Sequence, residues 1–258
     1  MSLSGKKAVV TGAGRGIGAE VARPLAAEGA DVIVSSLTRE RAERVAAELR
    51  ARDAQAWAVP CDVADEAQVA HLAATAAERL ERVDILVNNA GVTHSAPIHR
   101  IELADWERML AVNATGTFLC TRAFLPGMVA RGWGRVVNVA STAALQGARY
   151  IAAYAAAKHA VLGFTRCAAA EVAASGVTVN AVCPSYVDTD MTFESVQRMV
   201  ARSTRTEKEA LDFVASLNPQ HRLITPEEVA AAVIGLCEEE SRGINGQTIV
   251  IDGGALLA

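Results

Sequence analysis

A short apolar run, Lys6-Lys7-Ala8-Val9-Val10-Thr11, gives way at once to Gly12-Ala13-Gly14-Arg15-Gly16-Ile17-Gly18 and then to a helix-forming stretch from Ala19 to Glu28. Strand, glycine turn and helix in that order leave few folds open. Glycines let the backbone turn tightly and approach a ligand closely, and the free N–H groups and dipole at the helix start favour negative charge. In this context the turn suits the diphosphate of a dinucleotide, whereas an isolated glycine cluster would read as an ordinary tight turn.

Further apolar runs follow at Ala30 to Ser35, Ala56 to Val59, Ile85 to Val87, Val136 to Val139, Val177 to Val182 and Thr248 to Ile251, with candidate helices between them. Residues apolar at consecutive positions imply strands covered on both faces. Alternation with helices therefore predicts one doubly wound parallel α/β sheet with helices on both faces. A chain of 258 residues, 51% hydrophobic, suits a single domain spanning 1–258. The segment between 185 and 225 is polar and charged, and reads as an irregular lid over the carboxyl ends of the strands.

Composition excludes several classes. A net charge of -4 and the lack of a lysine/arginine cluster argue against a nucleic-acid surface. No apolar run reaches membrane-spanning length, so no membrane partner is expected. The five cysteines show neither paired nor metal-ligand spacing, which suits reduced thiols in a cytoplasmic protein and no metal.

Ser141, Tyr154 and Lys158 carry the chemistry. Tyr154 and Lys158 are four apart in a run of alanines, so both emerge on one face of a helix. The ammonium beside the phenol is expected to lower the phenol pKa from its reference of about 10. Tyr154 then becomes a general acid/base for a carbonyl or alcohol.

Both motifs together resemble the short-chain dehydrogenase/reductase family. The matching residues are Thr11-Gly12-x-x-x-Gly16-Ile17-Gly18, Asp62, Asn88-Asn89-Ala90-Gly91, Asn113, Ser141, Tyr154-x-x-x-Lys158 and Asn180-Ala181-Val182-Cys183-Pro184. The resemblance covers nearly the whole chain and implies a Rossmann fold. One departure is visible: the family usually has Pro-Gly where this chain has Pro184-Ser185, which leaves the local backbone path open.

The resemblance implies hydride transfer with Tyr154 as acid, Ser141 bonding the reacting oxygen, and Lys158 tuning the phenol and holding the nicotinamide ribose. Asn113 would hold a relay water behind Lys158, or else simply bend its helix. Gly12, Gly16, Ile17 and Gly18 would cradle the cofactor, with Asp62 and Val63 at the adenine. Asn89 and Gly91 would line the adenosine ribose, Pro184 and Val187 would line the cofactor, and Thr189 would contact its amide or phosphate. The second strand ends Ser35-Ser36-Leu37-Thr38-Arg39 without an acid. Arg15, Arg39 and Ser36 are therefore expected to favour the extra phosphate of NADP over NAD.

Gln146, Arg149 and Tyr186 are expected to face the substrate. Similarity is greatest to β-ketoacyl thioester reductases, 3-hydroxyacyl dehydrogenases and polyketide ketoreductases, with a CoA or carrier-protein thioester as one kind of substrate. The alternatives are an NAD-dependent dehydrogenase of a secondary alcohol or 3-hydroxyacyl-CoA, and a non-catalytic dinucleotide sensor. Long alanine-rich helices at about Thr115 to Val129 and Ala152 to Ala173 suit pairing in a homotetramer.

Overall fold

The computed structural model describes residues 3–256. Along the chain run β1 (Lys7–Val10), α1 (Gly16–Ala27), β2 (Asp31–Ser36), α2 (Arg39–Arg50), β3 (Ala56–Pro60), α3 (Glu66–Leu80), β4 (Ile85–Asn88) and α4 (Leu103–Leu110). They continue as α5 (Gly116–Arg131), β5 (Gly134–Val139), α6 (Ala152–Val172), β6 (Val177–Pro184), α7 (Asp190–Val200), α8 (Glu207–Ser216), α9 (Pro226–Cys237) and β7 (Thr248–Ile251). The strands form one sheet in the order β3-β2-β1-β4-β5-β6-β7, parallel at every pairing.

Successive strand residues feed opposite cores. Ala8, Val10, Val32 and Val34 pack with α1, α2 and α9, while Val9, Ile33 and Leu86 pack with α3, α5 and α6. This two-sided burial is why the strands read as unbroken apolar runs. The helices are started by their own residues: the Asp65 carboxylate accepts from the Ala67 and Gln68 N–H groups at α3, and Thr225 and Glu228 form a reciprocal capping box at α9 with Pro226 as its first residue. Each such cap stabilises by about 1 kcal/mol.

β1 pairs with β2 on one side and with β4 on the other. The chain therefore reverses its direction of winding beside β1, and a crevice opens there beyond the carboxyl ends of the strands. The residues following β1, β4, β5 and β6 converge on it.

The segment expected to be irregular is helical instead. Within it, α7 and α8 bury Val196, Ala210 and Val214 in a small core of their own, with Met199, Leu211 and Leu223 around it. Their apolar residues have helical spacing, but charged neighbours dilute the pattern in the sequence. The helix expected from Thr115 is preceded by a π-helical turn, Ala111–Thr115. β6 runs on to Pro184, beyond the expected Val182.

Candidate active site

The glycine turn is held from below by β4. Thr11 Oγ1 accepts from the Asn89 and Ala90 N–H groups at 3.1 and 3.2 Å, and Asn89 Nδ2 donates to the Thr11 and Gly12 carbonyls at 3.0 and 3.1 Å. Gly12 has φ +63°, and a Cβ there would come within 2.7 Å of Ala90 Cα. Only glycine fits that position. Arg15, at the start of α1, makes no side-chain cap, and no acid lies in the first helical turn. The leading N–H groups of α1 thus remain available to an anion, which is what a dinucleotide diphosphate requires.

Beyond the turn lies a cavity of about 100 Å³. Its floor is Val139, Ala140 and Ser141 at the end of β5, one wall is Tyr154 and Lys158 of α6, and the other is Pro184, Ser185 and Val187 at the end of β6. Ile17, Asn89, Gly91, Asn113 and Thr189 complete the predicted residues it unites, and Met191 and Thr192 of α7 cover it. A larger hollow of about 520 Å³ lies beside β7, lined by Gln220, Glu228, Asp252 and Gly253 among others. It contains none of the Ser, Tyr and Lys set.

Ser141 is extended, at φ -175°, and its hydroxyl accepts from the Ala143 N–H at 3.1 Å. It also hydrogen-bonds the Tyr154 phenol. Lys158 is buried, and its ammonium donates to the Val139 carbonyl at 2.8 Å while lying 5.8 Å from the centre of the Tyr154 ring.

The lowered phenol pKa expected from the Tyr154/Lys158 spacing is not what the packing produces. Burial pushes Tyr154 up to about 12; the Ser141 hydrogen bond pulls against this, while neighbouring Cys183 and Tyr186 reinforce it. Burial likewise draws Lys158 down to about 8, with Cys183 opposing. Removal of both groups from water outweighs their proximity, and the ammonium is aimed at a carbonyl rather than at the phenol.

Asn113 sits in the π-helical turn with its amide fully engaged. Nδ2 donates to the Val92 and Met109 carbonyls at 3.0 and 2.9 Å, and Oδ1 accepts from the Val92 N–H at 3.2 Å. The side chain therefore ties the β4–α4 loop to the widened turn. It nevertheless lies near Lys158: a Cβ on Gly91 would meet Asn113 Oδ1 at 2.8 Å and Lys158 Nζ at 3.6 Å.

Other expected site residues lie outside the cavity lining. Arg15 Nη1 donates to Asp190 at 2.9 Å and to Glu194 at 3.1 Å, joining the glycine turn to α7. Ser36 stands against Gly14, where a Cβ would come within 2.6 Å of its Oγ, and Arg39 is exposed at the start of α2. Asp62 accepts from the Ala64 N–H at 3.0 Å in a local turn ahead of α3, and Val63 packs on Gly116. Gln146, Arg149 and Tyr186 are exposed, and none of them lines the cavity.

Ser185 resolves the departure noted above. Its backbone stays out of the left-handed region, and its N–H donates to the Ile251 carbonyl at 3.0 Å, so the β6–β7 ladder simply continues. Sequence reasoning expected the lid from Thr192 onward to wall the cleft, but gave no site role to Thr11, Ser185 or Met191. Thr11 had a usable signal in its place beside the first glycine. Among the described residues no cluster of His, Cys, Asp or Glu has the make-up of a metal site.

A half-buried phenol and serine and a buried lysine at the switch point, beside a glycine cradle open to an anion, define an oxidoreductase acting on alcohols and ketones. Residues 6–199 match the sequence profile described as "short chain dehydrogenase". The chain belongs to that family. It is 38% identical to the 3-oxoacyl-[acyl-carrier-protein] reductase of Synechocystis sp., over 99% of both chains. It is 36% identical to the D-beta-hydroxybutyrate dehydrogenase of Cupriavidus necator, over 98% of both. Among solved structures, a variant actinorhodin polyketide ketoreductase with NADPH superposes with a TM-score of 0.95 and 36% identity, covering 99% of each chain.

Proposed function

We propose that this protein is an NADPH-dependent reductase of a β-ketoacyl thioester or related ketone. The carrying observation is geometric: Ser141, Tyr154 and Lys158 line one cavity beside the uncapped start of α1. When bound, the nicotinamide supplies the hydride that reaches the carbonyl carbon.

Everything else is the work of this chain's own groups. Ser141 and Tyr154 donate to the carbonyl oxygen, stabilising negative charge as it develops there. Tyr154 releases its proton to that oxygen. Lys158, as a neighbouring cation, favours the phenolate left behind. Gly12, Gly16 and Gly18 bring the backbone close to the diphosphate, with Ile17, Asn89, Gly91, Pro184, Val187 and Thr189 around the remaining cofactor. The absence of an acid at Ser36 supports NADP, as does the NADPH in the ketoreductase structure.

The same reading places the protein in a reducing cytoplasm, in keeping with five free cysteines and no helix long and apolar enough to cross a membrane among the described residues. It acts as one domain assembled into a homotetramer, supported by exposed Phe118 and Val129 on α5 and exposed Val250 on the edge strand β7. The function is tested by following reduced-nicotinamide absorbance with acetoacetyl thioesters, simple ketones and secondary alcohols, using both cofactors. Turnover of thioesters with NADPH is expected. Preferential alcohol oxidation with NAD overturns the reading.

A further inference from the structure

The cavity contains more hydroxyls than the proposed reaction uses. Ser141 is committed to Tyr154 and the Ala143 N–H, Asn113 to Val92 and Met109, and Lys158 to Val139. Thr189 Oγ1 has only a long contact, 3.4 Å to the Val187 carbonyl. The side-chain hydroxyls of Ser185 and Thr192 have no hydrogen-bond partner among the described residues, although both residues line the cavity. Thr192 is only 6% exposed. Neither hydroxyl is among the sealed, unsatisfied polar atoms of the core, so each remains open to a partner entering the cavity.

Each is held by its backbone. Ser185 is fixed by its N–H bond to Ile251 at 3.0 Å, and Thr192 by its N–H bond to the Thr189 carbonyl at 2.9 Å in the first turn of α7. One hydroxyl thus stands on the sheet and the other on the helix above it. Around them Ile17, Ala140, Val187 and Met191 are apolar.

We infer that Ser185 and Thr192 form a hydroxyl pair that grips a second oxygen of the substrate, so that the site selects ketones carrying an oxygen function beside the reacting carbonyl. The inference rests on the reductase reading and narrows it. A plain ketone offers these two hydroxyls no partner, whereas a β-dicarbonyl offers them its second oxygen. Sites built around such groups discriminate against ligands lacking the matching oxygen.

The test compares ethyl acetoacetate with 2-heptanone, two ketones of equal chain length, in the full-length enzyme with NADPH. The ratio of their kcat/KM values is expected to fall about tenfold in Ser185→Ala and in Thr192→Val, the loss of roughly one hydrogen bond each. NADPH affinity, read by its fluorescence, is expected to stay within about twofold, because neither hydroxyl is assigned to the cofactor. A ratio unmoved in both variants overturns the inference, as does weakened NADPH binding in place of a changed ratio. Failure of the wild type to reduce either ketone or an acetoacetyl thioester would instead sink the reductase reading, and this inference with it.

Discussion

The two ends of the sheet each bury a cation, and they treat it in opposite ways. At the amino end, Arg135 is 1% exposed, and its guanidinium donates to the Gly134 and Gly176 carbonyls at 2.9 and 3.2 Å and to Glu239 at 3.1 Å. It also lies 4.4 Å from the Trp133 ring centre, with Lys6 Nζ 3.4 Å from the same centre. At the carboxyl end, Lys158 is 4% exposed and has a single carbonyl acceptor at 2.8 Å. A cation whose donors are satisfied holds the fold together. One left nearly unpaired is strained toward neutrality and available for chemistry.

Tyr154→Phe is the strongest way to break this comparison. It removes the proton donor while preserving shape, and kcat is expected to drop by about 10³, with the melting temperature unchanged. Near-normal turnover would defeat the assignment. Lys158→Met should cost about 10²-fold in kcat while leaving stability equal or higher, since an under-paired buried charge is replaced by apolar volume. Arg135→Ala should do the reverse, lowering stability by about 3 kcal/mol in denaturant titration with kcat intact. A stability loss in Lys158→Met matching that of Arg135→Ala would erase the contrast.

A pH profile sharpens the same point. Lys158, lowered by burial to about 8, is charged below that pH and neutral above it. Reduction should therefore be level on the acid side and decline as pH rises through about 8, with Lys158→Met flattening the fall. The smallest effect belongs to the exposed bridge from Arg15 to Asp190 and Glu194. Asp190→Asn should change stability by less than about 1 kcal/mol but speed dinucleotide release in stopped-flow fluorescence, because α7 loses a tie to the glycine turn. Unaltered release would show that the bridge does not hold α7 down.

How much of this was legible in the sequence follows from the range of each interaction. The strands were readable because Val9 and Val10 are both buried, on opposite faces. The placing of Tyr154 and Lys158 on α6 followed from helical geometry alone. Their proton affinities did not, because spacing reports distance but not exclusion from water. Arg15 was assigned to a phosphate from local context, and its carboxylate partners lie far along the chain in α7. That helix was itself missed because its apolar positions are interleaved with charges. Ser185 was visible as a departure, but its lack of a side-chain partner became evident only when the cavity closed around it.

The bond from the Ser185 N–H to the Ile251 carbonyl ties the rim of the cleft to the final strand of the sheet. During synthesis the serine, tyrosine and lysine emerge well ahead of that strand, so the pocket wall lacks its outer support until β7 has followed them. Fusions or truncations that reach β7 should consequently injure activity from a distance, through a wall that has lost its anchor.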